Sequence, residues 1–129
     1  MTRARVLVVE DESLLAETLC DLLQDAGLEP VGPAATVAAA LRLIEQGRID
    51  AALLDIRLKR ETSFPVAHLL RQRGIPWVFL TSYQQHQLPE DLADATVIEK
   101  PFSPPALVEI VRRLAMGPPL CKSSVASRT

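Results

Sequence analysis

The sequence predicts an α/β sandwich around a parallel sheet. Two observations carry that expectation. Short apolar runs rich in β-branched residues recur along the chain, and the segments between them have apolar residues at helical spacing. The runs are also apolar on both faces, as in strands covered by helices on either side.

RVLVV (5–9) is the first such run, and Ser13 is placed to cap the helix that follows. Leu15, Leu19, Leu22, Leu23 and Ala26 recur along that helix, and Gly27 can end it. LEPVG (28–32) is a weaker extended stretch. An Ala-rich helix follows through Val37, Ala40, Leu41 and Ile44, and stops at Gly47. AALL (51–54) predicts a buried strand running straight into Asp55, then a polar loop, IRLKRET. Thr62 or Ser63 can cap the next helix, which has Pro65 in its first turn and ends at Gly74. IPWVFL (75–80) predicts a strand running into Thr81, and TVIE (96–99) a last strand running into Lys100-Pro101. Between these two, QQHQLPEDLADA is short and contains Pro89, so a short or irregular fourth helix is expected. A final helix from about Pro104 to Met116 carries Leu107, Ile110, Val111 and Leu114 on one face. Residues 1–116 are expected to form one domain, with 117–129 (GPPLCKSSVASRT) as a flexible tail.

Bulk properties narrow the function. At 129 residues and 48% hydrophobic, the chain suits a single domain with a proper core. A net charge of −2 disfavours a general nucleic-acid surface, and the apolar runs are too short to cross a bilayer. Cys20 and Cys121 make no disulfide framework and fit a reducing cytoplasm. His68 is expected on a helix surface and His86 in a loop. Trp77 is expected in the core.

Glu10, Asp11, Asp55, Thr81 and Lys100 come from distant parts of the chain, yet each lies at the predicted C-terminal end of a strand. In a parallel sheet those ends face one way, where open α/β folds bind ligands. Clustered carboxylates repel one another unless a cation joins them, and oxygen-only donors call for a hard ion, Mg²⁺ or Mn²⁺. An aspartate beside such an ion can act as a nucleophile toward a phosphoryl group. Asp55, alone at a central strand end, is the best placed to do so. A lysine and a hydroxyl would then stabilise the transferring group. Glu12 is expected to point away as a charge at the helix N-terminus.

These segments strongly resemble the receiver domain of bacterial two-component response regulators, over about residues 4–116. VLVVEDE resembles the acidic metal-binding turn, LLDIRL the phosphoacceptor strand, FLTSY the switch-threonine strand and EKPF the lysine-proline turn. The resemblance implies a (βα)5 doubly wound, flavodoxin-like sheet of order 2-1-3-4-5. It implies Glu10, Asp11 and Asp55 as metal ligands with the Arg57 backbone carbonyl, and Asp55 as phosphoacceptor. Thr81 and Lys100 would bind the phosphoryl group, and the Lys100-Pro101 peptide would be cis. The chain is more specifically similar to small stand-alone receivers whose fourth strand ends in Phe-Ala-Thr-Gly-Tyr. Leu80 and Ser82 depart from that signature. Three residues before the lysine, where many receivers have an aromatic switch, this chain has Val97. Arg57 and Tyr83 stand two residues beyond Asp55 and Thr81, at positions that modulate phosphoryl lifetime in the family.

The leading expectation is a cytoplasmic single-domain response regulator. It would be phosphorylated on Asp55 by a sensor histidine kinase or a histidine phosphotransfer protein, and would signal by binding another protein. No DNA-binding region follows the last helix, so a protein partner is expected rather than nucleic acid or membrane. The downstream partner is not legible, and homodimerisation stays open. The alternative is a phosphorylation-independent interaction module on the same fold, which Val97 favours and the intact acidic set opposes. A Mg²⁺-dependent phosphatase is disfavoured, because the general-acid aspartate expected two residues after the nucleophile is Arg57, which cannot donate a proton at neutral pH.

Overall fold

Side chains of the apolar runs alternate between the two faces of one sheet, as the twofold period of a strand requires. The computed structural model describes residues 3–82 and 88–117. Strands β1 (Arg5–Val9), β2 (Glu29–Ala34), β3 (Ala51–Asp55), β4 (Trp77–Thr81) and β5 (Thr96–Glu99) form a parallel sheet of order β2-β1-β3-β4-β5. The expected class and strand order are therefore observed. Val6, Val8, Leu53, Val78 and Leu80 point to one face and pack with Leu19, Leu23, Leu107 and Val111. Those four belong to helices α1 (Ser13–Asp25) and α4 (Pro104–Met116). Leu7, Val9, Leu54 and Phe79 point to the other face and pack with Ala40, Ile44, Val66 and Leu70. These come from α2 (Val37–Gln46) and α3 (Phe64–Gln72). The core is thus two apolar layers around a strand layer buried on both sides, with Trp77 in one of them as expected.

Four local details differ from the sequence-based expectation. Glu12, not Ser13, occupies the N-cap position of α1, and it makes no side-chain cap bond. Ser63 does take the N-cap position of α3, yet its hydroxyl accepts no cap bond either. Strand β2 continues past Gly32 to Ala34 through a cis Gly32-Pro33 peptide, with a register shift against β1. Gly32 has φ +101, and a Cβ there would lie 2.8 Å from the Ala34 nitrogen and 3.1 Å from the Val8 oxygen. Only glycine fits that approach. The polar loop after Asp55 is instead a two-stranded antiparallel ribbon, Arg57–Leu58 against Glu61–Thr62, anchored by the buried Leu58.

Between β4 and β5 the described residues contain one 3-10 turn, Glu90–Leu92, in agreement with a short, irregular element there. Leu92 seats it in the core. Arg71 of α3 fixes it from outside, donating to the Asp91 carbonyl and the Asp94 carboxylate while its guanidinium lies 5.2 Å from the Trp77 ring centroid. His68, half-exposed on α3, has Nε2 2.9 Å from Asp91 Oδ2. Tyr83, His86 and the tail with Cys121 lie outside the described residues.

Candidate functional site

Strand register explains why the polar residues meet. Val9 is paired with Leu54, so the next residues, Glu10 and Asp55, stand side by side at the sheet's C-terminal edge. Asp55 is paired with Leu80, and Thr81 with Glu99, which brings Thr81 and Lys100 into the same row. Backbone bonds lock this edge. Glu10 N–H donates to the Ala34 carbonyl (2.9 Å), Ile56 N–H to Leu80 (2.9 Å) and Lys100 N–H to Thr81 (2.8 Å). The Lys100-Pro101 peptide is cis, as expected.

The side chains then form one compact acidic centre. Oxygens of Glu10, Asp11 and Asp55 lie within 4.8 Å of one another. Lys100 Nζ donates to Asp55 Oδ2 at 3.2 Å and to Glu10 Oε1 at 3.4 Å. Glu10, Asp55 and Thr81 are buried, only 2%, 7% and 4% exposed, whereas Asp11 stands at the rim. Glu12 is exposed and its side chain takes no part, as expected. Its N–H donates to Glu10 Oε2 at 3.1 Å.

Burial sets the electrostatics. Burial first, and then the neighbouring Asp55, push the Glu10 carboxyl from its ordinary 4.5 up to about 7, against the opposing pull of the Glu12 amide and Lys100. A single ammonium does not offset three carboxylates, so the cluster favours either a proton on Glu10 or a bound cation. The donors fit a hard cation. Mg²⁺ takes oxygens at about 2.1 Å in an octahedron, so oxygens that share it stand about 3–4 Å apart. The observed spacing needs only a small contraction to reach that.

Arg57, expected to contribute its carbonyl, opens the ribbon directly after this edge and has an exposed side chain. Val97 is half-buried in β5, paired with Phe79 and packed on the α2/α3 layer. Sequence reasoning missed Lys59. Its backbone N–H, at the ribbon's turn, donates to Asp11 Oδ2 at 2.9 Å. No residue-type signal exposes such a contact, because any residue but proline supplies the amide.

Comparison with known proteins agrees with this geometry. The model of the response regulator receiver domain matches residues 6–112. The transcriptional regulatory protein PdtaR of Mycobacterium tuberculosis is 34% identical over 103 residues, which is 77% of this chain and 50% of PdtaR. The sensory transduction protein LytT of Bacillus cereus is 35% identical over 113 residues, 84% of this chain and 46% of LytT. The chain thus spans about half the length of the curated relatives it matches. Among solved structures, SdrG of Sphingomonas melonis is 40% identical with a TM-score of 0.76, covering 88% of this chain and 98% of SdrG. The response regulator TrrA of Thermotoga maritima, solved in complex with Mg²⁺-BeF, is 29% identical with a TM-score of 0.76, covering 86% of this chain and 98% of TrrA. With its fold, its acidic edge and this match over residues 6–112, the chain belongs to the response regulator receiver family.

Proposed function

We propose that this chain is a phosphorylation-responsive receiver in which Asp55 takes a phosphoryl group from the phosphohistidine of a sensor kinase or phosphotransfer protein. One observation carries the reading. The Asp55 carboxylate ends the central strand in contact with Lys100 and within 4.8 Å of the Glu10 and Asp11 oxygens. In the transfer an Asp55 oxygen attacks phosphorus, the nitrogen–phosphorus bond of the donor breaks, and its imidazole leaves with the electron pair. Glu10, Asp11 and Asp55, with the Arg57 carbonyl, would hold Mg²⁺ or Mn²⁺. When bound, the ion offsets the repulsion between phosphoryl oxygens and carboxylates. Lys100 shifts from bridging two carboxylates to pairing with a phosphoryl oxygen, and the Thr81 hydroxyl donates to another.

Nothing in this chemistry acts on a separate substrate, so the protein serves as a phosphoryl acceptor rather than as an enzyme for another molecule. The likeness of FLTSY to the Phe-Ala-Thr-Gly-Tyr signature supports a stand-alone cytoplasmic receiver that signals through a protein partner. Val97 favours a second reading, a partner-binding module indifferent to phosphorylation, since valine cannot swing as an aromatic switch does. Intact mass after incubation with acetyl phosphate separates the two. Gain of one phosphoryl group, requiring both Mg²⁺ and Asp55 and abolished by Asp55→Ala, is the expected result. No gain, together with no binding of a beryllofluoride mimic, would overturn the proposal in favour of the module.

A further inference from the structure

Two contacts tie the ribbon that follows Asp55 to residues outside it. Its turn is Lys59-Arg60, with no glycine, yet Lys59 has φ +27. A non-glycine residue in that region carries a cost of about 1 kcal/mol, so the conformation is imposed by the surroundings. In one, Asp11 accepts the Lys59 N–H. In the other, Glu61 Oε2 accepts the Val37 N–H at 3.0 Å. Val37 is the first residue of α2, and the Thr36 hydroxyl at the N-cap accepts the Ala39 N–H rather than that of Val37. Glu61 therefore supplies an acceptor for an amide the helix cannot satisfy itself, and sets a negative charge at the positive end of the helix dipole. Because Glu61 is paired with Leu58, and Thr62 with Arg57, fixing Glu61 fixes the strand that carries Arg57 and leads into Lys59.

We propose that Glu61 is a positioning residue for the acidic centre. By tying the ribbon to the N-terminus of α2, it holds the Lys59 amide on one oxygen of Asp11 and thereby aims the carboxylate at the cation. It also keeps Arg57 in place beside the site. This rests on the reading of Glu10, Asp11 and Asp55 as a cation site. Partners that orient a ligating carboxylate typically contribute tenfold or more to metal affinity.

The test is Mg²⁺ binding by calorimetry, with the Lys59 amide followed by NMR, in the wild type, Glu61→Ala, Glu61→Gln, Thr36→Ala and Asp11→Asn. Glu61→Ala should weaken Mg²⁺ roughly tenfold and raise hydrogen exchange at Lys59. Glu61→Gln keeps an acceptor for Val37 and should stay within about twofold of wild type. Thr36→Ala, which loosens the same helix end without touching the ribbon, should leave affinity unchanged. Wild-type affinity in Glu61→Ala, or equal weakening in Glu61→Gln, would overturn the positioning role; the latter would reduce it to plain charge. If the wild type bound no Mg²⁺, or Asp11→Asn had no effect, the cation site itself would fall, and the positioning role with it.

Discussion

Glu10→Gln should stabilise the metal-free protein at neutral pH, although it removes a residue of the site. The Glu10 carboxyl has a folded-state pKa of about 7 against an ordinary value of 4.5. Below about pH 4.5 both folded and unfolded states hold the proton, and Glu10 has no net effect. Between 4.5 and 7 the unfolded state has lost it while the folded state keeps it, so stability falls as pH rises. The slope approaches 1.4 kcal/mol per pH unit. Above about 7 both states are ionised and the loss levels off at about 3 kcal/mol. Urea denaturation of wild type and Glu10→Gln, without divalent ions, at half-unit steps from pH 5 to 8, measures this. The stability difference between variant and wild type should grow with pH across the window and flatten above 7. Saturating Mg²⁺ should remove most of the wild-type slope, since the cation takes the place of the proton. A difference independent of pH, or one that shrinks as pH rises, would refute the burial argument.

Related perturbations give further expectations. Asp55→Asn should lower the Glu10 titration and Lys100→Ala should raise it, because the Asp55 charge pushes that carboxyl up while Lys100 pulls it down; carboxyl carbon shifts by NMR report both. Apparent Mg²⁺ affinity should rise by up to about tenfold per pH unit below 7 and then reach a plateau. Gly32→Ala should cost more than about 1 kcal/mol in thermal or urea unfolding, since both φ and the nearby backbone oppose a Cβ. Leu54→Ala, fully buried in the strand that carries Asp55, should cost about 3 kcal/mol in urea unfolding.

Much of this molecule is legible in its sequence, for a physical reason. The strands are short runs apolar on both faces, and the helices carry clear apolar stripes, so element type follows from periodicity. The site was legible because parallel strands all end on one edge, which made Glu10, Asp11, Asp55, Thr81 and Lys100 neighbours before any distance was known. What escaped is what side-chain type does not encode. The ribbon at 57–62 has two-residue strands, too short for a period to show, and rests on Leu58 and on contacts with residues outside it. Strand β2 passes through Gly32-Pro33, a pair that normally reads as a turn. Ser13 and Ser63 were sound cap candidates by type, yet neither hydroxyl makes a cap bond. Adjacent in sequence and alike in charge, Glu10 and Asp11 differ sharply in place: one is buried and titrates high, the other sits at the rim and grips an amide.

The central claim is that Asp55 carries the phosphoryl group. Borohydride reduction after incubation with acetyl phosphate and Mg²⁺ converts an aspartyl phosphate to homoserine, which peptide mass spectrometry locates. Homoserine at position 55 alone, absent when Mg²⁺ is withheld, is the predicted result. Homoserine at position 11, or reduction at 55 that persists without the cation, would contradict it.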